Sequence, residues 1–309
     1  MAVQHENPHH LASAAVVVGT DGSGTADLAV RWAAATAAQR GRRLHIVHAL
    51  DLAATRSLLG AYDVMVPTVG DRMRARGEQV LASAQRLASD IDLNLQITTE
   101  LSEADPAKLL IALSESAHLV AIGATPGVGT LAHFGSTLLA VTSHGHGRIV
   151  VVRDTGNGQR TRTTGPVVVG VDGSPVGEAA IAAAFAEASE RKAELVVIHA
   201  WSDLNEGQFA GHQYLEIPIV DLEIAEHALL AERLAGWQGK YPNVIVTRKV
   251  FATGPREHLA KWSTSAQLVV VGSRGRGGFQ GLLLGSTSTW LVQHAHCPVM
   301  VAHPDRPAL

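Results

Sequence analysis

The chain has 309 residues, of which 46% are hydrophobic and 17% charged, and its formal net charge is -3. That length exceeds the roughly 100 to 200 residues of one ordinary domain, so two domains with separate cores are expected, and the apolar content excludes disorder for the bulk of the chain. The positive residues form no block, so neither a nucleic-acid partner nor an anionic membrane surface is expected.

Met1 to Ser13 contains three histidines and no Lys or Arg, and no apolar run of signal-peptide length follows it, so it reads as a frayed tail. The single cysteine, Cys297, has no intrachain partner for a disulfide, which fits a reducing, cytoplasmic setting. Apolar runs such as Ala14 to Val18 and Leu268 to Val271 fall far short of the roughly 20 residues of a membrane helix, so a soluble chain is expected.

The first strand, Val16-Val17-Val18-Gly19, runs into Thr20-Asp21-Gly22-Ser23, and Ser23 stands where a helix N-cap belongs. Next come the apolar runs Leu44 to Ala49 and Leu119 to Gly123, and then Arg148 to Val152. About 150 residues on, the series returns. Val167-Val168-Val169-Gly170 leads into Val171-Asp172-Gly173-Ser174, then Leu195 to Ala200, Leu268 to Gly272 and Val299 to Ala302.

In the second copy, Ser174 with Pro175 opens a helix through about Arg191, and helical segments are expected over Glu223 to Trp237, Pro255 to Ser265 and Ser286 to His294. The stretch from Arg153 to Gly165 is polar, rich in Gly and Thr and without periodicity, as a linker should be. The predicted organisation is a tail over 1–13, a domain over 14–152, a linker over 153–165 and a second domain over 166–304. Short β-branched runs alternating with Ala-rich segments predict an α/β fold, with two tandem doubly wound parallel sheets of about five strands each.

In such sheets ligands gather outside the carboxyl ends of the strands, near the switch in strand order. Directly after the run ending at Val271 comes Gly272-Ser273-Arg274-Gly275, followed nine residues later by Gly285-Ser286-Thr287 at the start of a helix. Glycines admit phosphate oxygens close to the backbone, and a helix start offers free N–H groups with a favourable dipole. An ordinary glycine-rich turn is the competing reading. Asp21 and Asp172 each end the first strand of a copy, where a carboxylate can accept from an adenine amino group or ribose hydroxyls, or simply cap a turn.

These residues resemble the universal stress protein family, in the subgroup whose members bind ATP, and the resemblance covers nearly the whole chain. The family loop has Gly, two residues, Gly, nine residues, Gly and Ser or Thr, which Gly272, Gly275, Gly285 and Ser286 match without a gap. The resemblance implies an adenine nucleotide alpha hydrolase-like, Rossmann-like fold that holds ATP, with Mg2+ carried by the phosphates. It implies that Asp172 meets the adenosine part, that the backbone beside His199 and Ala200 reads adenine, and that Gly254 borders the site. Gly272, Gly275, Gly285, Ser286 and Thr287 would hold ribose and phosphates. Family members commonly pair through the last strand of the domain, which implies an intrachain pseudo-dimer and leaves room for a homodimer.

The equivalent positions of the first copy are Asp21, Ala49, Gly123, Gly127, Gly135, Ser136 and Thr137, but the pattern departs from the family's. Pro126 takes the second glycine position, removing one N–H donor, and Gly135 arrives one residue early. Whether this copy binds nucleotide turns on how that loop folds and on whether Gly127 substitutes.

Other signals point elsewhere. No GxxxxGK[ST] loop occurs, and no first-strand turn reads GxGxxG with its acidic partner. The pairs His144 with His146 and His294 with His296 lack a third metal ligand, while His48 and His199 read as hydrogen-bonded strand residues. Cys297, Trp32 and Trp237 read as structural. The expected function is a nucleotide-dependent stress-response or regulatory module. Its rivals are a slow ATP hydrolase of the same fold, for which no candidate base is evident and Arg274 and Arg276 are either stabilisers of phosphate charge or solvated loop residues, and a pairing module without ligand. A flavin mononucleotide carrier is disfavoured because Asp21 and Asp172 would repel its phosphate.

Overall fold

A computed structural model describes residues 14–59, 66–124, 136–153, 161–174, 177–200, 219–252, 254–275 and 284–304. The chain divides into two compact units, Met1–Thr161 and Arg162–Leu309.

In the first unit the elements run β1 (Val16–Gly19), α1 (Gly24–Gln39), β2 (Leu44–Ala49), α2 (Leu52–Leu59), α3 (Val66–Ser89) and β3 (Ile97–Ser102), then α4 (Pro106–Ser114), β4 (Leu119–Ala124), α5 (Ser136–His144) and β5 (Arg148–Arg153). Its strands lie in the order β3-β2-β1-β4-β5, and each neighbouring pair is parallel. The chain therefore grows outward from β1 in one direction and then in the other. This reversal places the switch point between β1 and β4.

The second unit repeats the plan with β6 (Val167–Val171), α6 (Gly177–Arg191), β7 (Leu195–Ala200), α7 (Ile219–Lys240), β8 (Val246–Phe251), α8 (Pro255–Ser263), β9 (Leu268–Gly272), α9 (Ser286–His294) and β10 (Val299–Ala302). The strand order here is β10-β9-β6-β7-β8, again parallel throughout, with the switch between β6 and β9.

Sequence accounts for the elements locally. The central strands are continuous β-branched runs because helices cover both faces, and Val167, Val168 and Val169 are fully buried. The edge strands β3 and β8 mix polar and apolar residues and stay partly exposed, which is why no continuous apolar run announces them. Helix α1 starts where Ser23 Oγ accepts from the Ala26 N–H at 3.3 Å, and α4 where Asp105 accepts from the Lys108 N–H at 2.8 Å with Pro106 in the first turn. Helix α7 begins four residues before the expected Glu223, and α8 ends two residues before the expected Ser265.

Alanines on the inner faces of α1 and α6 let these helices lie close to the sheet, and Ala29, Ala33, Ala180 and Ala184 are completely buried. Against that apolar background α6 carries a charge pair. The Glu187 carboxylate is fully buried and accepts from Arg191 Nε at 3.0 Å, and Arg191 also donates to Gln267 Oε1 at 3.4 Å, just before β9. Truncating one partner strands the other charge away from water. Glu187→Ala should therefore lower the stability of the second unit by about 3 kcal/mol, read as an earlier midpoint in urea titration.

Candidate functional site

At the end of β6 the chain turns over Asp172, Gly173 and Ser174. Gly173 takes φ +78°, a left-handed conformation open to glycine, and Gly22 takes the same value at the matching turn of the first unit. Asp172 Oδ1 accepts from the Ser174 N–H at 2.9 Å and from the Ser174 O–H at 2.7 Å. Ser174 Oγ in turn accepts from the Gly177 N–H at 3.2 Å, so the turn is tied to the first residue of α6. Pro175, the expected first helical residue, lies outside the described residues.

The other carboxylate oxygen faces the loop after β9. A Cβ built on Gly275 would stand 2.6 Å from Asp172 Oδ2, closer than real contacts allow. Asp172 and Gly275, assigned separately from the sequence, are thus packed against one another. The glycine serves the carboxylate's approach as well as any ligand's.

The loop is also fastened to the start of α9. Gly285 N–H donates to the Ser273 carbonyl at 2.8 Å, Ser288 Oγ donates to the Gly272 carbonyl at 2.6 Å, and Ser273 N–H donates to the Ala302 carbonyl at 2.9 Å. Gly285 is the N-cap of α9 and, being glycine, brings no capping side chain; among the described residues none caps the helix. The first intrahelical bond runs from the Thr289 N–H to the Gly285 carbonyl, so the amides of Ser286 and Thr287 precede it at the positive end of the helix dipole. Ser286 is exposed and Thr287 half-buried. Arg274, also exposed, sits beside this turn, whereas Arg276 lies outside the described residues.

His199 and Ala200 close β7 beside β6, with His199 opposite Val171 in the parallel register. His199 is 3% exposed, and its Nδ1 donates to the Val171 carbonyl at 2.7 Å while Nε2 lies 2.9 Å from Glu226 Oε2 on α7. The sequence pattern does not mark Glu226. It sits 27 positions from its partner on a helix that meets the sheet only in three dimensions, and no spacing motif signals it. Arg233, on the same helix, has its guanidinium carbon 3.7 Å from where a Cβ on Gly173 would be. Gly254 is buried at the start of α8 with φ +72°, so its backbone alone requires glycine. Strands β6 and β7 stand between β8, which precedes it, and β9.

In the first unit Asp21 is exposed, and its Oδ1 accepts from the Ser23 N–H at 2.9 Å. Ala49 ends β2, and His48 donates through Nδ1 to the Thr20 carbonyl at 2.7 Å. A Cβ on Gly123 would collide with the Thr25 carbonyl, so close packing of α1 on β4 explains this glycine. Ser136 is exposed and Thr137 half-buried at the start of α5. Pro126, Gly127 and Gly135 lie outside the described residues.

The side chains of three of the four paired histidines have local partners, and the backbone N–H of His296 donates to Ser263 Oγ at 2.9 Å. His144 Nδ1 donates to the Ala140 carbonyl at 3.1 Å, His294 Nδ1 donates to the Trp290 carbonyl at 2.8 Å and stacks on that indole, and His146 approaches Glu115 at 3.5 Å. Trp237 stacks on Phe185 and Tyr241, Trp32 is buried, and burial pushes the Cys297 thiol up to about 12. Among the described residues no helix is long and apolar enough to cross a membrane.

The fold and this rim define a duplicated doubly wound α/β protein with a glycine-and-helix-start loop at the switch point of its second unit. The model of the universal stress protein family matches twice, over residues 14–153 and 163–303, and the chain belongs to that family. It is 38% identical over 295 residues to universal stress protein Rv2005c of Mycobacterium tuberculosis, covering 93% of this chain and 96% of that one. Universal stress protein Rv2623 of the same organism is 38% identical over 298 residues, covering 94% and 96%. The crystal structure of a universal stress protein from Archaeoglobus fulgidus shares the fold with a TM-score of 0.65 at 20% identity, covering 94% of this chain and 98% of that one.

The contact between Asp172 and Gly275 makes a prediction about energetic coupling. Gly275→Ala should destabilise the wild-type chain more than it destabilises Asp172→Ala, in which the obstructing oxygen is gone. A double-mutant cycle in urea should show a coupling of about 1 kcal/mol.

Proposed function

We propose that the second unit binds an adenine nucleotide, ATP, and that the chain acts as a nucleotide-dependent stress-response or regulatory module. The observation that carries this reading is the uncapped start of α9, fastened through Gly285 and Ser288 to the turn at Gly272 and Ser273 on the carboxyl rim. Phosphate oxygens are the acceptors that such amides suit best, since the charge also meets the helix dipole.

In this reading the Ser286 and Thr287 amides and hydroxyls hold the phosphates, and Gly272 and Gly275 let them reach the backbone. The exposed guanidinium of Arg274 adds positive charge at the same edge. Asp172 accepts from the nucleoside hydroxyls or the adenine amino group, because a carboxylate accepts only and would repel a phosphate placed beside it. The nucleotide then lies across the strand ends, with its base toward Ala200 and Gly254. Among the described residues no group of three or more His, Cys, Asp or Glu side chains converges to hold a metal, so magnesium would ride on the phosphate oxygens. When bound, that ion neutralises phosphate charge.

Calorimetric titration of the full-length chain with ATP and AMP tests the reading. Asp172→Ala should weaken ATP binding by about tenfold or more, the scale of losing a hydrogen bond to a charged group. Gly285→Val should weaken it at least as much, because a β-branched side chain at the N-cap crowds the mouth of the helix. A wild-type chain without affinity for ATP, or variants that bind as it does, would overturn the assignment.

A further inference from the structure

Both ring nitrogens of His199 face oxygen. The Val171 carbonyl, 2.7 Å from Nδ1, can only accept, so Nδ1 carries a hydrogen. Glu226 Oε2 lies 2.9 Å from Nε2, and one proton must occupy that contact. With that proton on Nε2 the ring donates to the carboxylate just as Nδ1 donates to the carbonyl, and each nitrogen meets an acceptor. The carboxylate side chain is 23% exposed and reaches water, while the ring is 3% exposed and has the carboxylate as its partner at Nε2. Of the other charged groups nearby, Asp172 is turned to Ser174 and Gly275, and Arg233 lies over Gly173.

The position of this pair gives it a consequence for the site. Val171 directly precedes Asp172, and His199 directly precedes Ala200, so a single ring pins the strand end that aims the acid to the strand end beside the base. Glu226 holds the ring from α7. Among the described residues of the first unit, no carboxylate pairs with the matching histidine. His48 keeps the bond to the Thr20 carbonyl at 2.7 Å, but α3 brings Gly77 against the ring, where a Cβ would stand 2.9 Å from His48 Cδ2. The repeat thus retains the clamp on the first strand and differs in what holds the clamp.

We infer that Glu226 is a positioning residue for the nucleotide site of the second unit: its hydrogen bond at Nε2, with the proton on the ring, holds His199 where Nδ1–H grips the Val171 carbonyl and thereby fixes Asp172. The inference rests on the nucleotide-binding reading above.

Its test combines two measurements on the full-length chain. Long-range nitrogen–proton NMR on 15N-histidine-labelled protein at pH 7 reads the protons on each ring, with His199 assigned by the loss of its signals in His199→Asn. Calorimetric titration with ATP reads the site. The wild type should show both His199 nitrogens protonated, whereas Glu226→Ala and Glu226→Gln should leave one proton, on Nδ1, with the His48 signals unchanged in each. Glu226→Ala should weaken ATP binding about fivefold, the scale of one hydrogen bond, and Glu226→Gln, which can donate its amide to Nε2, should recover most of the loss.

A singly protonated His199 in the wild type would overturn the inference, as would undiminished ATP affinity in Glu226→Ala. A wild type that shows the doubly protonated ring yet binds no ATP would instead overturn the functional reading, and the positioning role with it.

Discussion

The Asp172 carboxylate, with one oxygen committed to Ser174 and the other against Gly275, is the point on which the rim of the second unit depends. It sets the end of β6 close against the loop that leaves β9, the two strands that flank the switch in strand order. Only a residue without a side chain at 275 permits that approach. The loop's own bonds, from Gly285 to Ser273 and from Ser288 to Gly272, then set the first turn of α9 at the same edge. Acid, backbone turn and helix dipole meet there because a parallel sheet sends all its strand ends to one side.

The two units show how one plan diverges under local constraints. Both have a glycine at φ +78° after the first strand, and both have a histidine that grips the carbonyl preceding the acid. Around that shared frame the neighbours differ. In the first unit α3 offers Gly77 to the histidine and Val80 to Gly22, whereas in the second α7 offers Glu226 and Arg233. Asp21 is exposed where Asp172 is half-buried, which is a further difference in the surroundings of the acid.

Much of this was legible in the sequence, for identifiable reasons. Central strands such as Val167 to Val171 must be apolar on both faces, so they stand out as continuous runs, and their return about 150 residues later marks the duplication. The start of α9 at Ser286 was readable because Gly285 and Ser286 carry the chemistry of a helix start. Strands β3 and β8 were not readable as runs, since an edge position lets polar residues alternate in. The contact of Asp172 with Gly275 and the bond of His199 to Glu226 lay beyond any spacing rule, because each joins segments brought together only by the sheet and the helices on it. Gly123 and Gly254 carry a different lesson. Each has a sufficient local reason for being glycine, close packing on α1 in one case and a left-handed backbone in the other.

The central claim is that the backbone at the start of α9 receives the phosphates of an adenine nucleotide. Amide NMR of the full-length chain during ATP addition, with the Ser286 and Thr287 amides assigned, tests it most directly. The account predicts that these two amide protons shift strongly downfield, as donors to anionic oxygen do, and become protected from exchange. Unmoved amides at 286 and 287 with ATP bound elsewhere on the chain would contradict it.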